Sequence, residues 1–317
     1  MSLARIHPGL PYNPRLLGFS DAGAILGLSP WQSPLDVWLR VTQGYVTPQT
    51  EPQRWGIDKE PLIVAAGLRK LGEDPTAWRR GVSLDDPHRP WLRCSLDAEN
   101  QRRGWILEGK SHHDDRGYGA DRFAGDFTDA IPEHELVQVQ GYLHLTGAAV
   151  AWLSVLFGSS DHRVYRVRPD AELGGLVLDA LEGFWVDHVK PMRVPPVDGS
   201  AAWRRHFERM HPEASGDREA TPAEAEIARR LRELKAQREA IVALEDEAEN
   251  LLRASMGDTK TVRGDFGAIH WSETKGRTDY RAIAEQLVGP EGRHQLEALA
   301  EQHRAPSYRR MMARFKE

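Results

Sequence analysis

Apolar and polar positions along the chain alternate between two periods, and the switches mark the elements. Residues 1–19 are Pro-rich and carry no clear period, so they read as irregular. Ser20 to Gly27 reads as a short helix with Ser20 as N-cap and Gly27 as stop, and Ser33-Pro34 opens a second helix over Leu35 to Gln43. A longer helical pattern covers Trp55 to Leu71, where Pro61 must either start the helix or kink it and free a carbonyl one turn back. Two short strands follow, Trp91 to Asp97 and Trp105 to Lys110, joined by a turn-like linker. Glu135 to Thr146 sets Leu136, Val139 and Leu143 on one helical face and ends at Gly147.

The segments 148–157 and 162–168 read as a hairpin. Asp170 to Lys190 reads as a helix with Leu173, Leu176, Val177, Leu181, Phe184 and Trp185 facing inward. The order of helices and strands is that of an α/β protein with a mixed sheet. Past Pro195-Pro196 the composition shifts. Thr221-Pro222 opens a charged helix to about Arg253, with Ile227, Leu231, Leu234, Ile241, Leu244, Leu251 and Leu252 near heptad spacing, interrupted at Arg238. That coiled-coil-like pattern reads first as a helix packed on its own domain or in a helical hairpin. A small hairpin is expected over 259–272 and a basic helical tail over 304–316, giving two regions, 1–200 and 201–317.

At 317 residues with 40% hydrophobic side chains the chain can bury a sizeable core. No apolar run approaches a membrane span, and the N-terminus shows no export signal, so no membrane role is expected. The single cysteine, Cys94, excludes an intramolecular disulfide and a cysteine-ligated cluster and points to a reduced, cytoplasmic setting. The formal charge of −5 argues against a protein that coats nucleic acid through a global positive field. It leaves room for a nuclease whose acidic ligands subtract from the total, with positive potential confined to a groove.

The informative stretch is Cys94-Ser-Leu-Asp97 followed by Glu108-Gly-Lys110. Alternate strand residues share a face, so Glu108 and Lys110 point the same way, and Asp97 ends the neighbouring strand. Two carboxylates at a strand mouth suit Mg²⁺, which takes few protein ligands and keeps several waters. A lysine beside them can orient or deprotonate a water, or balance transition-state charge. Gln138 and Tyr142, four apart, share a helix face. His112-His113-Asp114-Asp115 is disfavoured as a transition-metal cluster, because adjacent residues converge poorly on one ion. Trp31 and Trp55 read as packing residues rather than base-stacking wedges. Arg102-Arg103, Arg204-Arg205 and the tail arginines 309, 310 and 314 are candidate phosphate contacts.

Five ordered motifs then carry a resemblance: Gly18 to Trp31, Trp55-Gly with Glu60-Pro, Cys94-Ser-Leu-Asp97, Glu108-x-Lys110 and Gln138-x-Gln140-x-Tyr142. Over about residues 15–190 the chain resembles the YqaJ-type viral recombinase family, the lambda-exonuclease-like group of PD-(D/E)xK nucleases. The resemblance implies a nuclease core with a central mixed β-sheet flanked by helices, and a helical C-terminal extension. It implies a Mg²⁺-dependent 5′-to-3′ exonuclease, with Mn²⁺ as a substitute. Such an enzyme releases mononucleotides from linear duplex DNA and leaves 3′ overhangs for a single-strand annealing protein in phage-type recombination, and it acts as a homotrimeric ring.

The rivals are a superfamily endonuclease, an exonuclease of other polarity, and a non-catalytic DNA-end-binding scaffold. By resemblance Asp97, Glu108 and the carbonyl of Gly109 would ligate the metal, with Glu60 on a second metal or its waters. Lys110 would position or activate water, Gln138 would orient the nucleophile or a phosphate, and Ser20 with Arg15 would bind the DNA 5′-phosphate. Gly109 departs from the family's usual apolar residue.

Overall fold

In the computed structural model, residues 5–8, 15–45, 49–118, 129–213 and 216–273 are described, with scattered helical positions between 283 and 299. The basic tail expected over 304–316, with its three arginines, lies outside the described residues. Two compact units divide the chain, 1–207 and 208–317.

The first unit is built on a mixed sheet. Its strands are β1 (Arg5–Pro8), β2 (Leu17–Gly18), β3 (Arg79–Asp85), β4 (Leu92–Asn100), β5 (Trp105–His112), β6 (Val150–Phe157) and β7 (Asp161–Val167). The order is β1-β3-β4-β5-β6-β7, with β2 paired to β4. Neighbours are antiparallel except β5–β6 and β2–β4, which are parallel. The mixed α/β architecture expected from the element order is therefore present. The short strands β1 and β2 lie in the stretch expected to be irregular, and β3 was not anticipated. Its burial runs three exposed residues and then three buried ones, so it never alternates.

The helices are α1 (Ala22–Ile25), α2 (Pro34–Trp38), α3 (Glu51–Lys70), α4 (Glu133–Thr146), α5 (Ala171–Phe184) and α6 (Ala201–Met210). α2 continues as a π-turn over Leu39–Gln43, and α5 as another over Trp185–Val189. Helix α3 begins four residues before the expected Trp55, because Thr50 N–H is held by Gln53 Oε1 at 2.8 Å. Pro61 sits inside it, which removes one helical hydrogen bond. Beyond Pro61 the helix turns inward, burying Ile63, Val64, Gly67 and Leu68. Gly67 is a close-approach glycine, since a Cβ there would stand 2.6 Å from Ser154 Oγ on β6.

Helix α4 is seated in the same manner. A Cβ on Gly141 would fall 2.0 Å from Phe19 Cδ1, and Phe19 meets the Tyr142 ring edge-on at 6.0 Å. Gly147 ends α4 in the left-handed region at φ 67°, as expected. The 148–168 hairpin is also present as β6 and β7. α5 buries Val177, Leu181 and Phe184, but Leu176 faces solvent at 58% exposure, contrary to its expected inward position.

The second unit holds α7 (Pro222–Met256) and a hairpin of β8 (Thr261–Gly264) with β9 (Gly267–His270). Thr221 Oγ1 accepts from Glu224 N–H, and the Glu224 carboxylate returns to Thr221 N–H. Among the described residues Met256 is the one buried position of α7, while Ile227, Leu234, Ile241, Leu244, Leu251 and Leu252 are exposed. Most of the chain after residue 273 lies outside the described residues, so the packing of this helix on its own domain or in a helical hairpin stands as a proposal. No helix among the described residues is long and apolar enough to cross a membrane.

Candidate active site

The site forms where two paired strands part. β4 and β5 are in register at Ala98–Leu107, Glu99–Ile106 and Asn100–Trp105, and the ladder stops one step before Asp97 would meet Glu108. The Asp97 carboxylate takes the place of the next rung: its Oδ2 accepts from Gly109 N–H at 2.7 Å. N–H and C=O of one strand residue leave the same edge, so the Gly109 carbonyl shares the edge facing Asp97.

Glu108, Lys110 and His112 alternate along β5 and all three meet α4. Lys110 Nζ donates to Glu108 Oε1 and to Gln138 Oε1, both at 3.1 Å. Gln138 Nε2 donates to Glu108 Oε1 at 2.9 Å and to the Tyr142 hydroxyl at 2.7 Å. Both amide hydrogens and the amide oxygen of Gln138 are therefore engaged within the site. The i, i+4 spacing of Gln138 and Tyr142 is what lets one turn of α4 brace both.

One atom stands apart. Glu108 Oε2 is buried without a hydrogen-bond partner. An orphaned carboxylate oxygen beside a second carboxylate and a strand carbonyl is a donor set for a hard cation, which needs only one or two protein carboxylates. No group of three His, Cys, Asp or Glu side chains among the described residues is gathered as a ready-made metal cage. The residues present fit an ion that keeps much of its own water.

The electrostatics run the same way. Burial, with the charges of Glu108 and Glu60, pushes the Asp97 carboxyl well above its usual range, against the pull of the Gly109 N–H. Burial also raises Glu108, with Lys110 pulling it back only in part. Burial would lower Lys110, but Glu108, Glu135 and Asp97 together raise it above an ordinary lysine. Those neighbours favour the charged form of Lys110, which suits a charged donor. Two of its three N–H groups are occupied, so one remains for a substrate oxygen or a water.

Glu60 comes to the cluster through α3. A Cβ on Gly109 would lie 3.6 Å from Glu60 Cγ, 3.6 Å from Asp97 Oδ2 and 3.1 Å from Val64 Cγ2. Gly109 is therefore where Val64 and Glu60 of α3 come up against β5. Glu60 precedes the close-approach Gly67 by two helical turns, so both face the sheet.

Ser20 and Arg15 have other surroundings. Ser20 is exposed in a 3-10 turn over Phe19–Asp21 and is not the N-cap of α1. Asp21 stands at the N-cap position of α1 without a side-chain cap bond; its buried carboxylate turns back onto the 3-10 turn, where Oδ2 accepts from Gly18 N–H at 2.9 Å and pairs with Arg40 at 2.6 Å. Arg40 balances the charge of that buried acid. Arg15 is exposed, with Nη1 donating to the Thr42 carbonyl at 3.3 Å. Neither residue takes part in the hydrogen bonds of the carboxylate cluster. Arg103 and Arg205, read as phosphate contacts, pair with Glu73 at 3.1 Å and Asp36 at 3.4 Å. Gln140 serves structure, bridging the Arg168 carbonyl and Asp170 N–H at 2.8 Å each.

A second network, missed from the sequence, adjoins Lys110. Glu135 on α4 is 3% exposed and accepts from His112 Nε2 at 2.8 Å and, in a short contact, from the Tyr118 hydroxyl. Burial pushes Glu135 up, but His112, Lys110 and Tyr118 hold it below the usual carboxylate range. The strand period did place His112 on the Lys110 face, and Glu135 lies one turn before Gln138. Those two spacings were the available signal.

Residues 12–149 match the family model of the YqaJ-like viral recombinase domain, a stretch that contains Glu60, Asp97, Glu108, Lys110 and Gln138. The chain is 26% identical over 279 residues to the protein named YqaJ of Bacillus subtilis (strain 168), covering 86% of this chain and 85% of that one. Among solved structures it is similar to an alkaline exonuclease (LHK-Exo) from Laribacter hongkongensis, at TM-score 0.42 and 13% identity over 62% of this chain and 96% of that one. The LHK-Exo complex with dAMP gives TM-score 0.44 and 12% identity, over 62% and 93%. A phage-related exonuclease from Haemophilus somnus 129PT gives TM-score 0.42 and 13% identity, over 56% and 96%.

Proposed function

We propose, from the match of residues 12–149 to the YqaJ-like viral recombinase domain model, that the chain is a divalent-metal-dependent deoxyribonuclease, a 5′-to-3′ exonuclease on linear duplex DNA. The observation that carries this reading is the Asp97–Glu108 pair at the parting of β4 and β5. Both carboxyls are raised by burial and Asp97 also by its acidic neighbours, and one Glu108 oxygen is left unpartnered. Such a pair is costly to keep unless a cation completes it.

Asp97, Glu108 and the Gly109 carbonyl would hold Mg²⁺, or Mn²⁺ in its place, with Glu60 reaching a second ion or its waters. The ion would polarise a phosphoryl oxygen and favour attack by water on phosphorus. Lys110 donates its free N–H to the attacking water or to a non-bridging oxygen and stabilises charge that grows in the transition state. Gln138 orients Glu108 and Lys110 relative to each other, and Tyr142 fixes Gln138. Ser20 and Arg15 remain proposed 5′-phosphate contacts on the strength of the resemblance, as do a homotrimeric ring and a single-strand annealing partner for the 3′ overhangs. The division into a nuclease core over 1–200 and an extension over 201–317 belongs to the same proposal.

The test is digestion of linear duplexes carrying a 5′-phosphate, a 5′ block or a 3′ block, and of closed circles, with Mg²⁺ or with EDTA. Mononucleotide release from linear DNA with a free 5′ end, and from nothing else, is expected. Cleaved circles would replace the reading with an endonuclease. Attack from the 3′ end would reverse the polarity, and end binding without release would leave a scaffold.

A further inference from the structure

Trp31 was read from the sequence as a packing residue, yet its side chain is 65% exposed. The exposure comes from a loop pinned on both sides. Before it, Leu28 N–H and Ser29 N–H both donate to the Gly23 carbonyl, at 2.8 and 2.9 Å. At the turn, Ser29 Oγ accepts from Trp31 N–H at 3.3 Å and Gln32 N–H at 3.2 Å. After it, Ser33 and Asp36 form the capping box of α2. A large apolar ring held out on a braced loop is unfavourable in water unless something covers it.

The ring rests on two imidazoles. It stacks on His112 with centroids 6.3 Å apart and planes 25° apart, and meets His134 edge-on at 5.1 Å and 83°. His112 is itself immobilised by Glu135 and Tyr118, at 2.8 and 2.9 Å from its Nε2. Burial disfavours the charged form of His134. Along β5, His112 follows Lys110 by two residues on the same face, about 6.6 Å at strand rise. The Trp31 ring stands a further 6.3 Å from that of His112, so the platform lies a few nucleotide steps of about 3.4 Å away along a duplex strand.

We propose that the exposed face of Trp31, backed by His112 and His134, is a stacking platform for a nucleobase within a few nucleotides of the phosphate processed at Asp97 and Glu108. The proposal rests on the nuclease reading above and deepens it by naming a substrate contact. Stacking on an aromatic face accepts every base, which is what a nuclease that removes successive nucleotides irrespective of sequence requires. The buttressed ring is already ordered before DNA arrives, so little freedom is lost on binding.

The experiment uses the full chain and linear duplexes with the fluorescent base 2-aminopurine at each of the first three nucleotides of the strand being removed. Complexes are held unreacted with Ca²⁺ in place of Mg²⁺. For the wild type, fluorescence is expected to fall at one of these positions. Trp31→Ala should abolish that quenching and raise KM by about 5- to 150-fold, with a smaller change in kcat. Trp31→Phe should retain most of both signals, and equal melting temperatures would show that the fold is kept. A Trp31→Ala protein with wild-type quenching and wild-type KM, in a chain that does degrade DNA, overturns the platform alone. A wild type that neither releases nucleotides nor quenches the analogue overturns the platform together with the nuclease reading.

Discussion

Asp97→Asn tests the electrostatic argument most directly, because it should raise stability while it removes function. In the metal-free protein the Asp97 carboxyl sits above its ordinary value of 3.8, raised by burial, Glu108 and Glu60. The folded state therefore holds the Asp97 proton more tightly than the unfolded chain does. Stability from this group is full below about pH 3.8 and is lost as pH rises through the folded value. At pH 8, above the ordinary carboxylate value, the raised Asp97 carboxyl costs the folded wild type stability, and its hydrogen bond there is the Gly109 N–H at 2.7 Å. Asparagine keeps an acceptor for that N–H and deletes the charge.

Relief of the desolvated carboxylate is worth about 1–3 kcal/mol, or about 3–10 °C for a unit of 150–250 residues. In EDTA at pH 8, Asp97→Asn should thus melt above the wild type, and the gap should close toward pH 4. Mg²⁺ at a hundred times its Kd adds about 2.7 kcal/mol to the wild type and should add nothing comparable to the variant, so the order of melting temperatures reverses with metal. Differential scanning calorimetry over pH 4–9, with EDTA or with Mg²⁺, reads all of this. A variant that melts below the wild type in EDTA at pH 8, or gains as much from Mg²⁺, would refute the reasoning.

Lys110→Ala strips Glu108 of its cationic partner inside the protein, at a cost of about 3–5 kcal/mol in urea unfolding, and should abolish nucleotide release. Glu108→Gln combined with Lys110→Met should recover most of that stability and none of the activity. Because its carboxylate neighbours raise Lys110 above an ordinary lysine, the pH–rate profile between pH 6 and 10 should show no limb from its deprotonation. Such a limb, lost in Lys110→Arg, would contradict the charged-donor role. Gly141→Ala drives a methyl to 2.0 Å from the fully buried Phe19 ring and should cost about 3 kcal/mol or more. Circular dichroism melting checks it, and an unchanged melting temperature would mean that α4 can move away from Phe19.

Much of the frame was legible because it is locally encoded. Periods of two and 3.6 marked β5, the β6–β7 hairpin, α4 and α7, and Gly147 and Thr221 marked ends whose capping chemistry needs no distant partner. The same strand period put Glu108 and Lys110 on one face. The sequence also carried Asp97, Glu60 and Gln138 as candidates through ordered motifs. It could not say that β4 and β5 part at Asp97, nor that Gly67 and Gly141 are the close contacts that bring α3 and α4 down on the sheet. Those are facts of packing between segments far apart in the chain.

The burial of the Asp21 carboxylate against Gly18 N–H depended on Arg40, nineteen residues away. The strand β3 hid because its burial follows its place in the sheet rather than an alternation. The exposure of Trp31 and the covering of Glu135 by His112 and Tyr118 were decided wholly by which surfaces met. Residue type and spacing determined which groups could do chemistry. Tertiary structure alone set their charges, because desolvation and Coulomb energy depend on distances that periodicity within one element does not contain.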